Sequence, residues 1–353
     1  MTQCFALFIS IANGLACGTR FARQGLATPQ TSSAIMIDAY GGPETLRLRD
    51  VAVPPTGTGQ LRIRHTSIGV NYHDIYVRSG QYRRFPLPLI PGLEAAGIIE
   101  EVGPDVTGFA PGDRVAYLDT GYGAYAAERV LSATLALKLP DSISNDLAAT
   151  ILLKGLTAAI LVLRVHPIQQ GEVVLVHAAA GGVGHMLVQW ASHLGAEVIG
   201  TVGSPEKAAS ATAAGCRDVI LYKETDFTAR VMELTSGRGV DVVYDAVGRD
   251  TFDGSLACLA MLGHLVNYGQ SSGAIEPFDI ARLAPRSATM SRPAYAHYVE
   301  TRPALEAMAE TLWRAIADGI LTVKEGNAYP LAEAARAHEA LEQRIAGPFI
   351  LKP

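Results

Sequence analysis

The chain has 353 residues, of which 49% are hydrophobic and 18% are charged, and this composition excludes a largely disordered protein. At roughly 100 to 200 residues per domain, the length predicts about two domains and a cleft between them. The 34 acidic residues outnumber the 29 Lys and Arg residues, which gives a formal charge of -5. We therefore do not expect a nucleic acid as partner, because a phosphate-binding surface needs a basic excess.

The cysteines and the apolar stretches limit where the protein works. The four cysteines, at positions 4, 17, 216 and 258, form no CxxC pair and have no nearby His, which excludes a disulfide framework and a zinc knuckle. The richest apolar stretch, Ala148–Val165, carries Lys154 and Arg164 and therefore predicts a buried helix and no membrane span. We expect a cytoplasmic protein in a reducing compartment.

The N-terminal residues 1–33 are compatible with three interpretations. The apolar run Cys4–Ala12 resembles the core of a secretory signal, but no Lys or Arg precedes it, and Arg20 and Arg23 follow it. A loosely ordered extension or an upstream start codon would also account for these residues. We predict that residues 1–33 form an N-terminal extension, possibly disordered, since recognisable domain sequence begins only near Ile35 and Met36.

Short alternating strands with Gly and Pro at the corners follow from residue 34 to about residue 139, and they predict a small, partly closed barrel. The predicted strands are Ala34–Ala39, Leu61–Ser67, Ala96–Val102, Arg114–Leu118 and Tyr125–Val130. The alternation ends at Pro140, after which the hydrophobic period lengthens to that of helices.

Apolar strands alternate with helices from Val173 onward, which predicts a doubly wound parallel sheet covered on both faces. The predicted strands are Val173–Val176, Glu197–Val202, Asp218–Tyr222, Val240–Asp245 and His264–Tyr268, and the helices are Gly182–His193, Pro205–Ala213, Phe227–Leu234 and Thr251–Leu259. The fold class is therefore α/β. We expect the chain that follows the parallel sheet to return to the barrel domain. This part contains the predicted helices Pro303–Asp318 and Leu331–Gln343 and the strand Phe349–Leu351.

The strongest single motif is Val-His-Ala-Ala-Ala-Gly-Gly-Val-Gly at 176–184, between a predicted strand and a predicted helix. Ala179, Gly181 and Gly184 take the three small-residue positions of the dinucleotide-binding fingerprint. A side chain at Gly181 would hold a pyrophosphate away from the N–H groups at the helix N-terminus. The Ala in the first position departs from the pattern and is tolerated if its φ is negative. The predicted cofactor-binding residues are Ala180, Gly181, Gly182 and Val183.

The end of the second strand predicts which cofactor binds. The acidic residue that would bind the ribose of NAD is missing there, and Gly203, Ser204 and Lys207 stand in its place. A lysine beside the 2'-phosphate of NADPH contributes about 1.5 to 3 kcal/mol, or roughly ten- to a hundredfold discrimination. An ordinary exposed helix charge is the alternative for Lys207. We expect Glu206 to face solvent, and Tyr222 and Arg344 to close the same pocket.

Several ordered motifs carry a family resemblance. They are Gly41-Gly42-Pro43-Glu44, Gly69-Val70-Asn71-Tyr72-His73-Asp74-Ile75-Tyr76, Arg78-Ser79-Gly80-Gln81-Tyr82, Pro91-Gly92-Leu93-Glu94-Ala95-Ala96-Gly97, Gly112-Asp113-Arg114-Val115, Leu153-Lys154-Gly155-Leu156-Thr157, Val243-Tyr244-Asp245-Ala246-Val247-Gly248, Tyr268-Gly269-Gln270-Ser271-Ser272-Gly273 and Ser291-Arg292-Pro293, together with the glycine fingerprint. From residue 34 to its end, the chain resembles the zinc-independent quinone oxidoreductases of the medium-chain dehydrogenase/reductase superfamily, which include zeta-crystallin and the bacterial NADPH:quinone reductases.

The resemblance implies a GroES-like catalytic barrel domain at residues 34–154, completed by about 295–353, and a Rossmann NADPH-binding domain at 155–294. It also implies a nicotinamide in the cleft between them and, commonly, a homodimer. Nicotinamide and substrate contacts carry over onto the catalytic residues Asn71, Tyr76 and Tyr82 and onto Lys154, Thr157, Tyr268, Gly269 and Ser271. The family's 2'-phosphate contacts fall on Lys207, Tyr222 and Arg344, which agrees with the charge argument above.

The alternative family is that of the zinc alcohol dehydrogenases in the same superfamily, and the residues at the zinc positions argue against it. Those enzymes have Cys where this chain has Asn71, and His where it has Leu93. Glu94 and His73 alone fall short of the three protein ligands that a catalytic zinc needs. We therefore predict no metal, and we expect His73 to be a partly exposed loop residue.

Hydride addition to a quinone needs no metal, because the negative charge is delocalised over a ring and a placed hydrogen-bond donor suffices. The predicted function is NADPH-dependent reduction of quinones by hydride or electron transfer. By hypothesis, Asn71 and Tyr76 position the carbonyl and the nicotinamide ribose, while the proton comes from water, Tyr76 or a cofactor hydroxyl. Asp74 is expected to orient Tyr76 or cap a turn, and Arg83 and Arg84 make the mouth of the cleft more basic than in the family.

Two alternatives to a quinone reductase remain open. Reduction of an α,β-unsaturated ketone, aldehyde or acyl-CoA would use the same cofactor, cleft and hydride. A non-catalytic NADPH-binding or RNA-binding protein is less favoured, because the acidic balance and the dispersed Lys and Arg residues provide no basic stripe.

Overall fold

The computed structural model describes residues 30–345 and 347–353. The three interpretations of the N-terminus concern mainly residues 1–29, which lie outside the described residues. The first strand begins at Thr31, within the predicted extension, and not at Ala34. Its early residues are held because they pair with a second strand that the sequence patterns did not predict, with Thr31 opposite Ala52.

The barrel domain contains the strands β1 (Thr31–Met36), β2 (Arg47–Ala52), β3 (Gln60–Val70), β4 (Glu94–Val102), β5 (Arg114–Leu118), β6 (Glu128–Ser132), β7 (Ala136–Lys138), β14 (Asn327–Pro330) and β15 (Phe349–Lys352). Its main sheet has seven strands in the order β14-β15-β3-β4-β5-β7, and β6 also pairs with β3. Because β15 runs antiparallel to β3, the C-terminal strands join the barrel as expected.

The Rossmann domain contains the strands β8 (Val173–Val176), β9 (Glu197–Val202), β10 (Asp218–Leu221), β11 (Val240–Asp245), β12 (Leu259–Asn267) and β13 (Thr289–Ser291). All pairs in this sheet are parallel, and the order is β10-β9-β8-β11-β12-β13. The order reverses between β8 and β11, where doubly wound sheets bind ligands at the carboxyl ends of the strands. The predicted fold class, a Rossmann sheet with a barrel domain, is confirmed.

The helices are α1 (Tyr72–Ser79), α2 (Asn145–Ile160), α3 (Gly182–His193), α4 (Pro205–Ala213), α5 (Phe227–Leu234), α6 (Phe252–Ala257), α7 (Tyr295–Tyr298), α8 (Arg302–Ala317) and α9 (Ala334–Glu342). With the π turn that follows it, α2 is long and apolar enough to cross a membrane, but 78% of its most apolar window is buried inside the protein. It packs against β3, β4 and β5 of the barrel and against α3 and α8. The boundary expected between residues 154 and 155 therefore falls inside a helix shared by both domains.

The sequence patterns failed mainly at short elements. They did not predict α1, whose eight residues include Tyr, Ile and Val, types with low helix propensity. Asp74 caps the start of this helix, and Gly80, with φ +79, ends it. The predicted helix Thr251–Leu259 is shorter than expected, because Leu259 is the first residue of β12 and pairs with Val240.

Candidate cofactor and substrate site

The glycine-rich turn follows β8 directly and leads into α3. A Cβ atom added at Gly184 would overlap the carbonyl oxygen of Ala178, so only glycine lets the helix lie this close to the strand. One added at Gly181 would lie 3.0 Å from the same oxygen. The left-handed residue of the turn is Ala178, with φ 52, and Ala179 has no positive φ. The requirement that Ala179 have a negative φ, which lets an alanine take the first position of the fingerprint, is therefore met.

The turn fits a pyrophosphate. The first N–H groups of α3, from Gly182 onward, have no partner within the helix, and they carry the positive end of its dipole. Gly181 precedes them in an extended conformation, with φ -79 and ψ 171, and adds no side chain. A Cβ atom at Gly182 would lie 2.9 Å from Cδ of Lys154. Of the other predicted contacts, Ala180 lies in this turn and Val183 is the second residue of α3.

A buried polar network begins at His177, the residue that follows β8, and lies next to the turn. His177 Nδ1 lies 2.9 Å from Thr201 Oγ1, and its Nε2 lies 2.9 Å from Ser255 Oγ. The Ser255 hydroxyl donates to Asp245, whose carboxylate also accepts the N–H of Val247 at 2.7 Å. Burial lowers the pKa of His177, so the ring stays neutral. The network ties together the carboxyl ends of β8, β9 and β11, where the cofactor is expected.

The predicted 2'-phosphate residues come together in the structure. Lys207 Nζ donates to the carbonyl oxygen of Arg344 at 3.0 Å, and Arg344 Nη1 donates to the hydroxyl of Tyr222 at 2.9 Å. A Cβ atom at Gly203 would lie 3.0 Å from that hydroxyl. Partial burial lowers the pKa of Lys207, and the charges of Arg344 and Lys223 lower it further. Positive charge is thus concentrated where a phosphate dianion would relieve the repulsion.

Two other residues of this segment fit the same interpretation. Ser204 precedes α4 as its N-cap residue, beside the pocket at Gly203. Glu206 is exposed, as expected. The pKa of its carboxyl is lowered by a hydrogen bond with its own backbone N–H and by one with the Ser204 side chain.

Asn71 lies at the start of α1 and is 5% exposed. Its Nδ2 donates to Glu94 Oε1 at 2.7 Å, and its backbone N–H donates to Asp74 Oδ2 at 2.8 Å, so the predicted capping role of Asp74 is confirmed. Tyr125 donates to the same carboxylate at 3.1 Å and lies 2.9 Å from His338 Nε2. Burial raises the pKa of Asp74 to about 7.

Glu94 and Lys154 connect the barrel to the glycine-rich turn. Glu94 is fully buried and accepts the N–H of Leu153 at 2.6 Å as well as the Asn71 amide. Burial raises the pKa of Glu94, and the charge of Lys154, whose Nζ lies 3.7 Å away, opposes that rise. Lys154 Nζ also donates to the carbonyl oxygen of Thr150 at 3.0 Å. Thr157, one turn further along α2, donates to Leu153 at 2.7 Å.

Tyr76 and Tyr82 contact the Rossmann edge from the barrel side. The hydroxyl of Tyr76 accepts the N–H of Gln270 at 3.2 Å, and that of Tyr82 accepts a bond from Arg292 at 3.3 Å. The two rings pack edge to face, with centroids 5.0 Å apart. Burial raises the pKa of Tyr76 to about 12, so at neutral pH the hydroxyl keeps its proton and can donate it.

The Rossmann edge itself is held by backbone contacts. The N–H of Tyr268 donates to the carbonyl oxygen of Asp245 at 2.8 Å, and that of Ser271 donates to Ala246 at 3.1 Å. A Cβ atom at Gly269 would lie 2.6 Å from the Ala246 carbonyl oxygen, so a side chain is excluded there. Burial raises the pKa of Tyr268.

The expectation for His73 is wrong in one respect, since it lies in α1 and not in a loop. Its ring packs against Tyr82 and Tyr122, with centroid distances of 5.1 and 5.8 Å. Burial and, to a smaller extent, the charge of Arg84 lower the pKa of His73 to about 4. The three aromatic rings and Arg84 line a cavity of about 410 Å³.

Three contacts in and around the site were missed because their partners are distant in sequence. Gln270 and Arg292 lie within the motifs that carry the family resemblance, but no local signal pairs them with Tyr76 and Tyr82. Arg78 Nη2 donates to Glu342 Oε1 at 2.6 Å, and this ion pair holds the end of α9, close before Arg344, against α1.

The residues at the zinc positions of the superfamily do not fit zinc. The Asn71 amide donates to Glu94, and the Leu93 side chain is apolar and buried. Within residues 30–345 and 347–353, no group of three or more His, Cys, Asp or Glu side chains is placed to hold a metal ion. That the protein works without a metal stays a prediction.

Two family models match the chain. The alcohol dehydrogenase GroES-like domain covers residues 57–141, and the zinc-binding dehydrogenase model covers residues 182–310. Among curated relatives, the quinone oxidoreductase of Pseudomonas aeruginosa is 42% identical over 90% of this chain and 99% of its own length. The 2-haloacrylate reductase of a Burkholderia species is 41% identical over 91% of this chain and 98% of its own length.

Solved structures agree with these matches. The Escherichia coli quinone oxidoreductase complexed with NADPH has a TM-score of 0.88 and 41% identity, and the alignment covers 91% of this chain and 100% of that one. A mycobacterial protein complexed with NADPH has a TM-score of 0.87 and 45% identity, with the same coverage. The resemblance inferred from the motifs is confirmed. The chain belongs to the quinone oxidoreductase family of the medium-chain dehydrogenase/reductase superfamily.

Proposed function

We propose that this chain reduces quinones with NADPH, without a metal, in the cleft between the barrel and the Rossmann domain. One observation carries the proposal. The glycine-rich turn at Gly182 and the buried Asn71–Glu94 pair are both next to Lys154. This arrangement supports a cleft in which a dinucleotide lies beside a polar site that, within the described residues, lacks a set of zinc ligands. The relatives named quinone oxidoreductase, from Pseudomonas aeruginosa and Escherichia coli, support the substrate class.

Each end of the cleft has a separate task in this proposal. The N–H groups at Gly182 bind the pyrophosphate, while Lys207 and Arg344 bind the 2'-phosphate. Tyr268, Gly269 and Ser271 line the nicotinamide end. Bound NADPH would supply the hydride.

The barrel residues position the quinone. Asn71 and Tyr76 hold the quinone carbonyl and the nicotinamide ribose, and Tyr82 bounds the site. The quinone gains one hydride and one proton to become a hydroquinone. Tyr76 keeps its proton at neutral pH, because burial raises its pKa to about 12, and it is therefore a hydrogen-bond donor to developing negative charge on the carbonyl oxygen.

The competing reaction is hydride addition to a conjugated alkene, as the name of the 2-haloacrylate reductase relative indicates for that protein. We would compare kcat/KM for 1,4-naphthoquinone and for an enone, following NADPH oxidation by the absorbance of the reduced nicotinamide. The proposal expects the quinone to be the faster substrate by at least tenfold. Faster turnover of the enone would contradict the proposal and would indicate that the protein reduces conjugated alkenes.

We further propose a homodimer, built on the β12 and β13 side of the Rossmann domain. Among the exposed large apolar side chains of the described residues are Met261 and Leu262 on β12 and Ile280 near it, at 66%, 76% and 75% exposure. The outer edge of β13 has no partner strand in the described part of the chain, and a second copy would cover both features. Light scattering is expected to give a dimer for the wild type and a monomer for Leu262→Asp. A wild-type monomer would overturn this.

We also propose a cellular compartment for the protein. Cys216 and Cys258 are buried free thiols, and burial raises the pKa of each to about 12, which keeps them unreactive. We place the protein in the cytoplasm, outside the membrane and without a nucleic acid partner. Cell fractionation with activity recovered from the membrane pellet would contradict this.

A further inference from the structure

A cavity opens on the outer side of Tyr82. It has a volume of about 410 Å³ and is lined by His73, Tyr82, Arg83, Arg84 and Tyr122, among others. The Tyr82 ring forms one wall, and its other neighbour is Tyr76, with centroids 5.0 Å apart. Since Tyr76 contacts Gln270, the rings of Tyr82 and Tyr76 lie between this cavity and the Rossmann edge.

The two arginines of the cavity differ in how they are held. Arg83 Nε donates to the carbonyl oxygen of Gly80 at 2.9 Å, and its guanidinium lies 4.9 Å from the centre of the Tyr40 ring. Arg84 lies 5.4 Å from the ring centre of Phe85 and forms no ion pair within the described residues. Both arginines are exposed, and Arg83 too forms no ion pair within the described residues. The hydrogen bond to Gly80 holds Arg83, so Arg84 is the one that is free to turn to a ligand.

In the part of the chain that the structure describes, the carboxylates nearest the cavity have partners other than Arg84. Asp119, beside the cavity residue Thr120, is paired with Arg129, and Asp74 is fully buried and accepts bonds from Asn71 and Tyr125.

The other polar groups at the cavity are neutral. Burial lowers the pKa of His73 to about 4 and raises the pKa of Tyr122, so both are uncharged at neutral pH. The cavity is therefore electropositive.

A buried hydroxyl, that of Tyr295, lies near enough to be affected by the charge of Arg84, although Tyr295 is not one of the side chains that line the cavity. Tyr295 Oη is buried and has no hydrogen-bond partner in the described structure. Burial raises the pKa of Tyr295, the charges of Glu94 and Asp119 raise it further, and the charge of Arg84 opposes that rise. A buried hydroxyl left unpaired costs free energy unless a ligand or water pairs with it.

We propose that Arg84 forms a subsite for an anionic group on the electron acceptor, so that the preferred substrates are conjugated carbonyl compounds carrying a carboxylate or sulfonate. The proposal rests on the proposed function and names the substrate class of that same cleft. A quinone beside Tyr76 would extend its substituent past the Tyr82 ring to the Arg84 guanidinium, which binds planar oxyanions well. Arg83, held by Gly80 and Tyr40, takes no part.

The test compares 1,4-naphthoquinone-2-sulfonate with uncharged 1,4-naphthoquinone. Arg84→Gln is expected to raise KM for the sulfonate roughly tenfold, the size of one charge-assisted bond, with an effect on the uncharged quinone that is several-fold smaller. Arg84→Lys is expected to restore part of the loss, and Arg83→Gln, the matched control, to change the ratio of the two KM values less than about twofold. Equal effects of Arg84→Gln on both quinones, or equal effects of the two Gln variants, would overturn the subsite.

A binding measurement separates this inference from the proposed function. Calorimetry with redox-inert naphthalene-2-sulfonate, in the presence of NADPH, is expected to show roughly tenfold weaker binding to Arg84→Gln, with naphthalene-2-methanol much less affected. Wild-type protein that turns over no quinone would refute the proposed function, and calorimetry would then still decide the subsite. Quinone turnover with sulfonate binding that does not depend on Arg84 would refute the subsite alone.

Discussion

Asn71→Ala removes the donor that lies 2.7 Å from Glu94 Oε1. The variant leaves the fully buried Glu94 carboxylate with the Leu153 N–H and with Lys154 at 3.7 Å. A hydrogen bond to a charged group is worth about 1.5 to 3 kcal/mol, and we expect the free energy of unfolding to fall by that amount. The backbone N–H at position 71 still reaches Asp74, so this half of the capping box of α1 is kept, while the half made by the Asn71 side chain is lost.

The same substitution separates turnover from cofactor binding. If Asn71 positions the quinone carbonyl, its loss lowers kcat roughly tenfold or more, since about 1.4 kcal/mol of transition-state stabilisation corresponds to one factor of ten. The dissociation constant for NADPH, measured by nicotinamide fluorescence, is expected to change less than about twofold. The glycine-rich turn and the pocket around Lys207 are untouched by the substitution.

The matched control is Asn145→Ala. Asn145 also lies in the first turn of a helix, and its Nδ2 donates to Thr66 at 2.7 Å, but it has no contact with the cleft residues named above. We expect Asn145→Ala to lower stability, as judged by urea unfolding, without lowering kcat. Unchanged quinone turnover in Asn71→Ala, or an equal loss in the control, would refute the role given to Asn71.

Three further predictions concern the cofactor pocket, the turn and a buried acid. Lys207→Gln is expected to raise KM for NADPH roughly ten- to a hundredfold with little change for NADH, and an equal change for both cofactors would contradict the 2'-phosphate assignment. Gly184→Ala is expected to lower the free energy of unfolding by about 1 to 3 kcal/mol, because its Cβ would overlap the Ala178 carbonyl oxygen; unchanged urea unfolding would count against this packing. Asp74 has a pKa of about 7 in the fold against 3.8 ordinarily, so the folded wild type binds the extra proton and loses stability as pH rises between these values. The unfolding free energy of Asp74→Asn, minus that of the wild type, should therefore rise with pH over that range and level off above it. A value of this difference that does not vary with pH would contradict the shifted pKa.

The long buried elements could be predicted from the sequence because their pattern is local. The predicted bounds of β8, β9, β11 and α3 are those observed, since strands covered on both faces appear as continuous apolar runs. The strand β13 was missed because its three residues are fixed by pairing with β12 and carry no period of their own.

For the candidate site too, the features with a local sequence signal could be predicted and the contacts between distant residues could not. The turn at Gly181 and the charge at Lys207 are local signals, and the sequence alone is enough to identify both. The contact between Arg344 and Tyr222 spans 122 residues and could be anticipated only from the proposed fold and the family resemblance. The ion pair of Arg78 with Glu342 spans 264 residues and carries no local signal, so only the folded chain reveals it.

The proposal that NADPH reduces a quinone here without a metal can be tested in one assay. NADPH oxidation with 1,4-naphthoquinone is measured on protein dialysed against a chelator, with zinc content determined on the same sample. We expect full activity at negligible zinc content and a strong preference for NADPH over NADH. Activity that disappears with the chelator and returns with zinc would contradict the proposal, as would NADPH oxidation that does not depend on the quinone.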